Sequence, residues 1–316
     1  MRKLILAFLL LLIPSTAFAQ FGINCVMGSD GCNKIDAQGG ALSVALEDGV
    51  GGLISVAGSQ LRVVTMPYGQ AVAEELLAGH DKIGSFGFRE NVQVVAQGSD
   101  MWNGTATTQP YPVDAGEQLE IISTSVEDDP DKGGATPGTG IHTVHVHYLD
   151  AAGAAQEEVV NLNGTAAVAL TETNVRFVQL AHTTVAGTVA GAVGTITIYK
   201  QGAAATVYGH IDIGSNRTMS AIQMVPAGKT CYMLFCEGSS TDKSVNVRLR
   251  ATAVAGELIE DVFIAQGSSF FKDSTTTKNL PIPIKFPALT KIKMTIFVPA
   301  GKAGADASGG WIGVIE

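Results

Sequence analysis

Apolar and polar residues alternate with a period of two along most of the chain, the pattern of strands that bury one face. Runs at 61–66, 92–96, 119–125, 143–149, 159–162, 175–181, 195–199, 230–235, 245–252, 258–264 and 292–298 carry it, and Val, Ile and Thr are plentiful in them. Turn chemistry separates the runs: Asp150-Ala151-Ala152-Gly153, Asn163-Gly164, Gly214-Ser215-Asn216 and Ala227-Gly228. Only 70–78 breaks the alternation. There Ala71, Glu74, Glu75, Leu76 and Leu77 predict one short helix stopped by Gly79.

The pattern predicts an all-β fold of antiparallel sandwich or jelly-roll-like domains. Residues 20–115 form an irregular N-terminal attachment region, 116–210 a central β-sandwich and 211–316 a C-terminal β region. The join near 210 is weak, because 207–213 itself alternates. An acidic, glycine-rich loop over 127–140 is long enough to be functional or mobile. Pro281, Pro283 and Pro287 keep their stretch out of a central strand and predict an edge or a link to the last hairpin.

The first residues change the picture. Met1-Arg2-Lys3, an apolar run over 4–13 and Pro14-Ser15-Thr16-Ala17-Phe18-Ala19 read as a secretory signal over 1–19, cleaved after Ala19; an N-terminal apolar segment is the competing reading. No later run approaches the ~20 apolar residues of a membrane helix, so no membrane partner is expected of the mature form. The formal net charge is −9 and the 20 Lys and Arg are scattered, which argues against nucleic acid. Export would place Cys25 and Cys32 in an oxidising compartment, and the seven-residue separation across Gly28, Asp30 and Gly31 permits a disulfide. Cys231 and Cys236 lie five apart in an apolar run; they pair only across a bend, and buried free thiols are the alternative.

Candidate chemistry is sparse. His145 and His147 share one face of a strand and can offer two ligands to a metal; His80, His182 and His210 are available in principle, but local spacing fixes no third, and a plain polar face is the competing reading. Asp128, Asp129 and Asp131, beside Glu127 and before Gly133-Gly134, offer oxygen ligands for calcium, yet Pro130 and the lack of a closing Glu break the loop pattern and favour a solvated acidic loop. There is no Gly-x-Ser-x-Gly elbow and no phosphate-binding lysine after the glycines, and the pairs Glu74-Glu75 and Glu157-Glu158 are adjacent and face apart. The expectation is a protein without catalysis or cofactor.

A succession of segments carries a resemblance: Phe86-Gly87-Phe88-Arg89-Glu90-Asn91, Met101-Trp102-Asn103-Gly104, Leu119-Glu120-Ile121-Ile122-Ser123, Gly138-Thr139-Gly140, Asn161-Leu162-Asn163-Gly164-Thr165, Val175-Arg176-Phe177, Gly194-Thr195-Ile196-Thr197-Ile198 and Val225-Pro226-Ala227-Gly228-Lys229. Over roughly 79–300 this order resembles a broad group of tailed-phage virion structural proteins. The resemblance implies a β-sandwich particle component, such as a capsid decoration or a head- or tail-associated protein. Its expected partners are other virion proteins and copies of itself, and its expected location is the virion; the signal-like N-terminus points instead to the extracellular or periplasmic space. The alternative is an exported bacterial β-sandwich that binds carbohydrate or a cell-surface ligand. Aromatic residues are only 6% and Trp occurs twice, at Trp102 and Trp311, which argues against a sugar-stacking face.

Overall fold

A computed structural model describes residues 25–28, 31–34, 36–38, 41–46, 52–57, 60–65 and 79–316, except 135, 242, 260, 261, 272 and 273. The signal expected over 1–19 and the helix expected over 70–78 lie outside the described residues. The chain divides into two units, 1–81 and 82–316.

In the first unit Cys25–Gly28 pairs antiparallel with Gly31–Lys34, and Asp36–Gln38, Ala41–Leu46, Gly52–Ala57 and Gln60–Thr65 form an antiparallel meander. The register sets Cys25 opposite Lys34 and Cys32 opposite Met27. The sulfur positions lie outside what is described, so the Cys25–Cys32 bridge remains an expectation.

The second unit holds two antiparallel sandwiches. In the central one, a three-stranded sheet in the order Ala155–Asn161, Ile141–Asp150, Val175–Ala186 faces a four-stranded sheet in the order Val168–Ala169, Leu119–Ser123, Ile196–Lys200, Ala203–Ile211. Alternate residues of both sheets meet in one core, including Leu119, Ile121, Val144, Val146, Ile196 and Ile198. Strand Leu119–Ser123 shows the rule plainly, with Leu119, Ile121 and Ser123 buried and the residues between them half-buried.

In the C-terminal sandwich, Ile222–Met224, Lys291–Phe297, Val245–Ala251 and Ile264–Phe271 lie side by side, with Ser99–Asp100 joined to Lys291–Phe297. The facing sheet runs Ser274–Phe286, Cys231–Ser240, Ala305–Ile315, Asp81–Val92. Ile83, Val92 and Met101 belong to this core together with Val247, Ile292 and Trp311. Residues 82–102 fold with the C-terminal sandwich, because their apolar positions pack there. Ser274–Phe286 is an edge strand, as Pro281 and Pro283 require, and its register jumps between Asn279 and Ile284 so that the prolines fall in a bulge.

A smaller core of Leu149, Phe177, Ile222 and Met224 joins the two sandwiches, flanked by Tyr111, Phe263 and Leu289. Gln179 reinforces it, donating from Nε2 to the Met224 carbonyl (2.6 Å) and accepting from the Met224 N–H (3.1 Å). The weak join near 210 is thus a seam within one folded body.

Candidate metal centre

Val144, Val146 and Tyr148 of strand Ile141–Asp150 point into the central core, so the intervening His145 and His147 project from the opposite face. Strand Val175–Ala186 buries Val178 and Ala181 in the same core and sets His182 directly opposite His145. On the other side Ala155–Asn161 sets Glu157 opposite His147 and Val159 opposite His145. Two register shifts flank the histidines, one before Val144 and one after His147; between them the pairing is regular and the three imidazoles converge.

The ring centroids of His145 and His147 are 4.2 Å apart, and His182 lies 5.2 Å from the first and 5.3 Å from the second, stacked on the latter. One ring nitrogen from each lies within 4.8 Å of the others. Glu157 caps the group, with Oε2 3.4 Å from His145 Nε2 and 3.6 Å from His147 Nδ1. His182 Nδ1 is buried without a hydrogen-bond partner; a buried polar atom left so costs about 1–3 kcal/mol. Burial holds His147 below the ordinary imidazole range, and the nearby His145 and His182 push the same way against Glu157. Burial, His145 and Arg217 lower His182 likewise. Lowered values keep imidazoles neutral at pH 7, the form whose lone pair binds a metal.

The third imidazole that local spacing did not supply is that of His182, brought beside the other two by strand pairing. A His two residues from another in an alternating strand is visible in sequence; its cross-strand partner is not. The remaining histidines of this region serve elsewhere: His142 Nε2 meets the Gly138 carbonyl at 2.7 Å, and His210 Nε2 lies 2.9 Å from Asp212 Oδ1.

The acidic loop is organised differently from a calcium loop. Asp128 is fully buried, and its carboxylate accepts from the backbone N–H groups of Ile141 (2.8 Å), Val193 (3.0 Å) and Gly194 (2.8 Å) and from Ser123 Oγ (2.6 Å). These four donors occupy the lone pairs a cation would need. Asp129 Oδ1 accepts from the Asp131 N–H at 2.8 Å in a local turn, and Asp131 is exposed. Solvation thus describes Asp131 but not Asp128. The Gly138-Thr139-Gly140 motif follows from the same packing, since a Cβ at Gly138 would collide with the Glu127 carbonyl and one at Gly140 with the Asp128 carboxylate. Trp102 and Trp311 are both fully buried, so neither offers a platform to a sugar. Cys231 and Cys236 are free thiols, and burial pushes Cys231 up to about 12.

No family model matches the sequence, and no curated protein matches it. Among solved structures, the chain has a likeness to one described as the structure of infectious bursal disease virus Gx strain, at 10% identity and a TM-score of 0.21, covering 75% of this chain and 72% of that one.

Proposed function

We propose that the chain is a structural component of a virion or a comparable extracellular particle, works by assembly with copies of itself and other particle proteins, and performs no catalysis. The observation that carries this reading is the use made of the buried carboxylates. Asp100 pairs with Lys293, Asp128 takes four protein donors, and Glu117 pairs with Lys200 and Tyr208. Asp100 and Asp128 tie strands together inside the body and Glu117 does so nearer its surface, whereas an enzyme would aim such groups into a cleft. The resemblance of 79–300 to tailed-phage virion proteins supports the particle setting. The outer surface suits subunit contact: strand Ala155–Asn161 is an uncovered sheet edge with Val159 exposed, and Ile282 stands 84% exposed on the far edge strand.

Light scattering on the purified full chain, together with the protein inventory of purified particles, tests the proposal. A closed oligomer and a band at constant stoichiometry in the particles are expected. A compact monomer at high concentration that is missing from particles overturns the reading and favours the exported binding protein.

A further inference from the structure

The geometry points to a binding site for one first-row divalent metal ion of the zinc class, ligated by His145, His147 and His182 with Glu157 as the carboxylate ligand. The inference is independent of the assembly reading. Imidazole nitrogen is the donor preferred by Zn²⁺, Cu²⁺ and Ni²⁺, whereas Ca²⁺ and Mg²⁺ take oxygen ligands, so three nitrogens and one carboxylate select the former class. Four-coordinate zinc with ~2.0–2.1 Å bonds sets its ligand atoms roughly 3.3 Å apart. The ring nitrogens, all within 4.8 Å of one another, need a small inward rotation to reach this, and the side chains of His145 and His147 retain 19% and 34% exposure, room in which to make it. Glu157 lies near two of the three rings, His145 and His147. The buried, unpartnered Nδ1 of His182 is a second sign that the cluster is built for a ligand.

Ligands come from all three strands of the sheet: two from Ile141–Asp150, one from Val175–Ala186 and one from the edge strand Ala155–Asn161. A bound ion therefore clamps an otherwise one-sided edge strand to its neighbours and fixes the outer face of the central sandwich. Its role is structural.

Untagged full-length protein, stripped with a chelator and titrated with Co²⁺ and then Zn²⁺, tests the site. Expected are one equivalent bound, visible absorption of a four- or five-coordinate cobalt centre, its displacement by Zn²⁺, and a rise in melting temperature with metal. His182→Ala and His147→Gln should weaken binding by about 100-fold or more and Glu157→Gln by roughly 10-fold, at the scale set by losing ligand-shell partners. His210→Ala should bind as the parent does. If His182→Ala fails to fold by circular dichroism, His145→Gln and His147→Gln on the half-exposed face carry the test. Absence of a bound equivalent in the parent, or retention of parental affinity in the folded His145→Gln and His147→Gln variants, overturns the inference.

Discussion

Lys293 Nζ lies 2.8 Å from Asp100 Oδ1 in an ion pair whose side chains are 6% and 4% exposed. The aspartate also accepts from the Gln109 N–H (3.0 Å) and Thr295 Oγ1 (3.3 Å), and the ammonium sits 4.1 Å from the centre of the Phe263 ring. The pair thus fastens the short strand Ser99–Asp100 to Lys291–Phe297 and closes one side of the C-terminal sandwich.

Removing one partner leaves the other charged and buried, a change that costs about 3–5 kcal/mol, while replacing both with apolar groups of similar volume is often near neutral. Asp100→Asn and Lys293→Met should each lower stability by roughly that amount. The Asp100→Leu/Lys293→Met double variant should lose less than the two single losses together. Denaturant melts of the singles and the double measure the coupling.

Asp128 predicts a separate loss. An amide at this position presents an NH₂ group to backbone N–H donors that now meet a carboxylate. Hydrogen bonds to a charged group are worth about 1.5–3 kcal/mol each, so Asp128→Asn should destabilise by several kcal/mol. Because the carboxylate is occupied by Ile141, Val193, Gly194 and Ser123, calcium should not restore stability to this variant or add any to the parent. Thermal melts with and without millimolar calcium decide the point.

Glu117 makes folding sensitive to acid. Burial alone would raise its carboxyl, but hydrogen bonds from Lys200 (2.7 Å) and Tyr208, with the Lys200 charge, outweigh burial and hold it below the usual range. A carboxyl whose folded value is depressed contributes stability that is fully present above its unfolded value, near 4.5, and is lost as pH falls through the folded value. Glu117→Gln should therefore cost about 1–3 kcal/mol at pH 7, and its difference from the parent should shrink below pH ~4. Denaturant melts across this range read the difference.

Most strands were legible because side-chain direction along a strand is local. Alternation at 119–125, 143–149, 175–181, 195–199 and 245–252 marks strands that bury the apolar positions it assigns to the core. The long strands Asp81–Val92, Ala203–Ile211, Ser274–Phe286 and Ala305–Ile315 were harder to read. The first and last are glycine-rich where the two pack together: a Cβ at Gly84 would crowd the Trp311 carbonyl, and one at Gly310 the Ser85 carbonyl. Close backbone contact there took the place of the side-chain pattern that announces a strand.

The sequence by itself determined an all-β, antiparallel body with polar turns and a proline-blunted edge, since these depend on period, turn chemistry and the missing proline N–H. Tertiary structure alone decided which polar residues lie inside and which meet. Lys291-Ile292-Lys293-Met294-Thr295-Ile296 reads as a strand with one wet face, yet both faces are buried, because Tyr111 and Phe263 cover the lysines and Asp114 and Asp100 pair with them. His182 joins His145 only through the register of two strands between which Ala155–Asn161 and Val168–Ala169 intervene in the chain. Register is a non-local choice, settled by packing both sheets of the central sandwich onto one core, and no local pattern in the chain encodes it.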